Sequence, residues 1–237
     1  MNTEDASLLR EGERIDDLQR DGYRIIQHPK KFCFGIDAVL LTDFAEYHPG
    51  EDLVCDLGCG TGIIPILLCA KGKGKQFTGL EIQPDMADMA ARSVKLNREE
   101  ERIRIVNGDI REAISLFGAS TFDVVTVNPP YMQGGGALVN PEDSKAIARH
   151  EILVTLDDVI RVGCGLLKDG GRLYMIHRPN RLTEILTLMH QYHLEPQRIQ
   201  MVHSYSDQNA TLVMVEGRRG RGAFLKVLPP VILYQKE

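Results

Sequence analysis

Asp56-Leu57-Gly58-Cys59-Gly60-Thr61-Gly62 ends one apolar run, Leu53-Val54-Cys55, and leads into another, Ile63-Ile64-Pro65-Ile66-Leu67-Leu68. A short apolar run, a glycine loop and a longer apolar run read as a buried strand turning into a helix. Gly58, Gly60 and Gly62 let the backbone turn tightly and approach a ligand with no Cβ in the way. The spacing is GxGxG. The dinucleotide fingerprint is GxGxxG and has no need for an acid two residues before its first glycine. Asp56 stands at that place here. A carboxylate there would repel a pyrophosphate held at the helix N-terminus and would favour a cationic amino group or a sulfonium. The loop therefore disfavours NAD and favours S-adenosylmethionine.

Strand and helix patterns alternate outward from this loop. Strands are expected at Leu53–Leu57, Gln76–Glu81, Ile103–Asn107 and Phe122–Asn128, with helices at 62–70, 84–97 and 111–117 between them. Pro84 suits a first helical turn, and Asp85 suits its positive end. A helix at 155–167, a strand at Arg172–His177, a helix from Pro179 to about Tyr192 and strands near Arg198–His203 and Thr211–Glu216 follow. The last connection carries no helix pattern, so the final strand is expected to run antiparallel. The fold class is α/β, a doubly wound, mostly parallel seven-stranded sheet with a short N-terminal extension. Residues 1–48 are expected to be an exposed arm with a short strand around Tyr23-Arg24-Ile25-Ile26, followed by a lead-in helix N-capped by Asp37. Residues 49–217 form the main domain, and 218–237 a basic and apolar segment packed on it.

Ligands of such sheets bind beyond the carboxyl ends of the strands, near the point where strand order reverses. Glu81 and Asp109 each end a strand, as the glycine loop does. Glu81 stands where an acid accepts from ribose hydroxyls. Asp109 could accept from an adenine amine with Ile110 against the ring; a lone acid there also reads as a helix N-cap. The fourth strand runs into Asn128-Pro129-Pro130-Tyr131. An exocyclic or amide nitrogen is a poor nucleophile because its lone pair is delocalised. Two acceptors aimed at its N–H bonds, the Asn128 side-chain oxygen and the Pro129 carbonyl, can pull it toward tetrahedral geometry. Pro129 and Pro130 stiffen the turn. Tyr131 can stack on a planar substrate. No metal is needed.

The 237 residues carry a net charge of −5, with 43% hydrophobic and 26% charged side chains, which suits one ordinary soluble domain. The acidic N-terminus lacks the features of a signal peptide, and no apolar run is long enough to span a membrane. Cys33, Cys55, Cys59, Cys69 and Cys164 are odd in number and include no CxxC pair, which argues against a disulfide framework or a zinc site and for the cytoplasm. Net charge does not point to nucleic acid, but charge is segregated. Arg218, Arg219, Arg221 and Lys226 lie together near the end of the chain. Such a patch can steer a polyanion, or be a solvated turn.

Residues 50–216 resemble class I S-adenosylmethionine-dependent methyltransferases, whose fold is Rossmann-like. The resemblance implies that Asp56, Gly58, Gly60 and Gly62 hold the methionine part, Glu81 with Ile82 the ribose, and Asp109 with Ile110 the adenine. Asn-Pro-Pro-Tyr resembles the motif of amino-group methyltransferases. Two branches share it: adenine methyltransferases of nucleic acid and glutamine methyltransferases of release factors. Phe32-Cys33-Phe34-Gly35-Ile36-Asp37-Ala38-Val39-Leu40-Leu41 and Ala148-Arg149-His150-Glu151 resemble the bacterial family that methylates N6 of the adenine beside the anticodon of a valine tRNA. That likeness adds Phe34, Asp37 and Asn128 to the cofactor site and implies a tRNA partner, with Lys30, Lys31, Arg149, His150, Arg218, Arg219 and Arg221 as candidate RNA contacts. Gln133-Gly134-Gly135-Gly136 is read as a gating loop or a plain connector. A monomer is the default. Glutamine methylation of a protein, or a silent RNA-binding module on the same fold, remain alternatives.

Overall fold

In the computed structural model, which describes residues 3–31, 33–49, 52–129 and 154–235, the chain opens with helix α1 (Thr3–Ser7) and a hairpin of β1 (Arg14–Asp17) and β2 (Arg24–Gln27). Then come α2 (Ile36–Phe44), β3 (Leu53–Leu57), α3 (Ile63–Ala70), β4 (Gln76–Glu81), α4 (Pro84–Leu96), β5 (Ile103–Asn107), α5 (Ala113–Phe117) and β6 (Phe122–Val127). Next are α6 (Leu156–Leu166), β7 (Leu167–His177), α7 (Leu182–Gln191), β8 (Leu194–His203), β9 (Ala210–Arg219), β10 (Lys226–Val227) and β11 (Val231–Ile232).

The main sheet runs β10-β8-β9-β7-β6-β3-β4-β5, with β11 also on β8. Its seven longer strands are those expected from the sequence, and β9 alone of the described ones runs antiparallel. Two-residue strands from the C-terminal segment bring the total to nine. Strand order reverses between β3 and β6, where Leu57 pairs with Val127. Every parallel strand therefore ends on one rim, and the β3 and β6 ends stand side by side there.

The sheet is buried on both faces, so its strands read as continuous apolar runs. Side chains alternate between two cores. Cys55, Val125, Leu173 and Met175 pack toward α6 and α7, while Val54, Val124, Tyr174 and Ile176 pack toward α2 and α3. At the end opposite the rim, buried Arg172 and Asp52 form an ion pair at 2.7 Å.

The strand expected around Tyr23–Ile26 is present as β2, but the segment before it is no exposed arm: it pairs with β2 as β1, and the hairpin packs on α4. Ile26 is fully buried with Met89 and Leu96 of α4. Arg92 of α4 grips Glu13 with two nitrogens, and Asn97 pairs with the backbone of Arg24. The charges of the first segment thus serve as partners for α4. Asp37 is not the N-cap of α2 either: Gly35 holds that place and the helix begins at Ile36.

Candidate active site

The glycine loop is held in place by its neighbour strand. Gly58 and Cys59 donate their amides to the Leu80 carbonyl at 2.8 and 3.0 Å. Gly60 donates to one Glu81 carboxylate oxygen and Gln83 to the other, both at 2.9 Å. Gly58, Gly60 and Gly62 have φ of +75°, +54° and +82°, a region that side chains strain to adopt. A Cβ at Gly60 would meet nothing within 4 Å, and one at Gly58 only Ile110 Cδ1 at 3.9 Å. The space over the loop is an open cradle whose wall is Ile110. Gly62 is different: its Cβ would lie 3.2 Å from that of Ala90, so this glycine serves the approach of α3 to α4.

Asp56 sits beneath the cradle, 1% exposed. One oxygen accepts from the Thr126 hydroxyl at 2.7 Å; the other is buried without a hydrogen-bond partner among the described residues. Burial raises its carboxyl to about 7; the Thr126 hydroxyl opposes that rise and the Glu81 charge adds to it. A buried carboxylate one hydrogen bond short, below a cradle clear of side chains, suits the cationic amino group of S-adenosylmethionine. The residues fit that cofactor.

Asp109 accepts the Arg111 amide at 2.8 Å and N-caps a single turn over Ile110–Glu112. Hydrogen bonds from Arg111 are the largest influence holding its carboxyl below the usual range. The N-cap reading of this acid is thus realised, on the same rim as Glu81. Asn107 was not singled out from the sequence. Its amide ties β5 to β4 through the carbonyls of Glu81 and Ile82, at 2.8 and 3.1 Å.

Asn128 follows β6 and donates from Nδ2 to Asp37 Oδ2 at 3.1 Å. The other Asp37 oxygen accepts the Ala38 amide at 3.0 Å. Phe34 lies just before α2, its amide on the Gln27 side chain at 3.1 Å. Pro129 continues from Asn128, half-buried. Pro130, Tyr131, Arg149, His150, the Gly-rich stretch at 133–136 and Phe32 lie outside the described residues.

Two side chains near this centre were missed. Thr126 is paired in register with Asp56, and its hydroxyl among the apolar residues of the strand was the one local sign of it. His177 ends β7, two residues past Met175, the partner of Val127, and so is level with Pro129. It is buried, accepts the Arg178 amide on Nδ1 at 2.8 Å, and burial lowers its pKa to about 4. It is neutral at pH 7.

The candidate RNA contacts divide. Lys30 is exposed and Lys31 pairs with Asp85 in the first turn of α4, which begins at the rim. Arg218 pairs with Arg172, at the start of the β7 segment that ends in His177. Arg218 and Arg219 therefore lie roughly 17 Å along the sheet from the rim. Arg219 donates to the carbonyls of Cys164 and Leu167 and to Ser120, which ties β9 to α6. Arg221 is exposed beyond them. The structure does not bring these arginines to the site.

A mostly parallel doubly wound sheet, a glycine cradle over a buried acid and an asparagine at the switch point define a class I S-adenosylmethionine-dependent methyltransferase. A methyltransferase-domain family profile matches residues 54–148. A tRNA1(Val) (adenine(37)-N6)-methyltransferase from Porphyromonas gingivalis is 30% identical over 189 residues, 78% of this chain and 73% of that protein. The chain belongs to that methyltransferase family. Solved structures agree on the fold. A predicted O-methyltransferase from Agrobacterium tumefaciens aligns with a TM-score of 0.67 at 23% identity, over 84% of this chain and 88% of that one. A geranyl diphosphate C-methyltransferase from Streptomyces coelicolor, solved with S-adenosyl-L-homocysteine, aligns with a TM-score of 0.56 at 17% identity, over 77% and 78%.

Proposed function

We infer that this chain methylates the exocyclic N6 amine of an adenine in tRNA, beside the anticodon of a valine tRNA. The family supports the substrate, and the pairing of Leu57 with Val127 carries the chemistry. That register stands the cofactor cradle and Asn128 on adjacent strand ends.

Bound S-adenosylmethionine supplies an electrophilic methyl group. Asp56 and the glycine loop hold its methionine part, Glu81 its ribose, and Asp109 and Ile110 its adenine. Asn128 Oδ1 and the Pro129 carbonyl accept the two N–H bonds of the target amine. Those hydrogen bonds draw the lone pair out of conjugation. Most of the rate gain comes from fixing this nitrogen beside the cradle. Tyr131 stacks on the base. A target adenine held in a stack has to be flipped out to reach this rim. Lys30 and Lys31 meet the RNA backbone. The protein acts in the cytoplasm as a monomer.

The test is transfer of labelled methyl groups from S-adenosylmethionine into an extract of cells lacking this gene. Label in N6-methyladenosine of the tRNA fraction is the expected result. Label in a protein band instead would move the substrate to a glutamine. Cofactor binding with no labelled acceptor in either fraction would favour a silent binding module.

A further inference from the structure

We propose that Tyr47 is a positioning residue for Asp56, acting through a water molecule held between the Tyr47 hydroxyl and Asp56 Oδ2. The inference rests on the cofactor reading of Asp56 and adds the group that holds its second oxygen.

Tyr47 follows α2 and packs against the face of the sheet that carries Asp56. Asp56 pairs in register with Thr126, and Thr126 with Tyr174, so the three side chains form one row on that face. The Tyr47 ring stands beside the end of the row, its centre 6.1 Å from that of Tyr174. The Tyr47 hydroxyl and Asp56 Oδ2 are both buried, and neither has a hydrogen-bond partner among the described residues. Burial pushes the hydroxyl well above the usual tyrosine range, with Tyr174 and the Asp56 charge adding to the rise. The hydroxyl therefore keeps its proton and can donate it. The Asp56 charge weighs more on it than Arg172 or Asp52, toward the other end of the sheet.

No direct hydrogen bond joins the two oxygens, and each orphaned group destabilises the fold. One water donates to the carboxylate and accepts from the hydroxyl, which satisfies both at once. Thr126 holds Oδ1 at 2.7 Å and the water holds Oδ2, so the carboxylate is fixed before the cofactor arrives. Oδ2 has two acceptor sites; the water takes one and leaves the other for the cationic amine. The titratable groups facing the pair are Glu81, Cys55 and Cys59 about Asp56, and Tyr174, Arg172 and Asp52 about Tyr47. Lys73 lies 5.5 Å from the Tyr47 ring centre.

Tyr47→Phe keeps the ring and all of these neighbours and removes only the hydroxyl. Without that donor the water supports the ionised carboxylate less, so Asp56 gives up its proton at higher pH. By calorimetry, S-adenosylmethionine affinity should be about three- to tenfold below wild type near pH 6.5 and within about twofold near pH 8.5. Taking the ratio to wild type cancels the titration of the cofactor's own amine. The difference should vanish in an Asp56→Asn background. A merely structural role predicts the same loss at both pH values. A hydroxyl with no partner predicts a higher melting temperature for Tyr47→Phe, because an unsatisfied buried donor is removed. Either result overturns the proposal, as does a crystal structure of the cofactor complex with no ordered water between the two oxygens. If Asp56→Asn binds the cofactor like wild type at both pH values, the cofactor role of Asp56 fails instead, and the proposal with it.

Discussion

The Glu81 carboxylate accepts the Gly60 amide across 2.9 Å, so an acid expected to meet the ribose also shapes the loop meant for the methionine part. With Gln83 on its other oxygen, Glu81 is 5% exposed and rigidly held. Glu81→Ala removes both acceptors at once. S-adenosylmethionine affinity should fall about 10- to 100-fold by calorimetry, the value of one or two charged hydrogen bonds. An unchanged affinity would take Glu81 out of the cofactor site.

Asp56 gives a proton readout of cofactor binding. Its carboxyl sits at about 7 against an ordinary 3.8. Cationic amine binding beside it favours the ionised form, so complex formation at pH 6 should release up to about one proton. Titrations in buffers of different ionisation enthalpy measure this, and Asp56→Asn should abolish it. In the ligand-free protein the unfolded chain gives up this proton near pH 4 and the folded one near 7. The Asp56 contribution to stability therefore falls as pH rises through that window, by at most about 4 kcal/mol.

His177 acts in the opposite sense. Its folded pKa is about 4 and its ordinary value 6.5. Below 6.5 the unfolded chain binds a proton that the folded one refuses. Its contribution is complete above pH 6.5 and is lost as pH falls toward 4, an effect of about 3 kcal/mol at most. The two buried groups offset one another between pH 4 and 6.5. Melts of Asp56→Asn should show stability rising across that range, and melts of His177→Gln should show it falling.

Asn128→Ala should lose about 10²- to 10³-fold in turnover at saturating cofactor, the cost of one preorganised polar group at the reacting nitrogen. Single-turnover transfer to tRNA measures it. Near-normal rates would remove Asn128 from the mechanism.

Charge removal separates the two basic groups. Replacing Lys30 and Lys31 by alanine should weaken tRNA binding and lower the slope of log affinity against log salt by about one for each phosphate that is no longer neutralised. Arg219→Ala should instead lower the melting temperature, because it strips donors from the carbonyls of Cys164 and Leu167, and should leave the salt slope alone.

Much of the site was legible because its signals are local. Gly58, Gly60 and Gly62 announce a turn through the conformations that only glycine adopts freely. Glu81 and Asn128 are placed by lying at the end of an apolar run. Of the hairpin only β2 was legible; β1 and the packing on α4 were not, since nothing local to Glu13 or Asp5 shows that Arg92 and Arg24 stand beside them. Arg219 read as a surface cation for the same reason. Thr126 and His177 sit inside stretches whose apolar character spoke only for burial.

The sequence by itself determined the elements, their alternation and the chemistry of the loop, because backbone preference and hydrophobic period act over a few residues. Tertiary structure alone decided the pairings that make a site: Asp37 with Asn128, 91 positions apart, Asp56 with Thr126, and Glu81 with Gly60. Strand order sets which ends share a rim. That order emerges from burying both faces of the whole sheet, which no short stretch of the chain encodes.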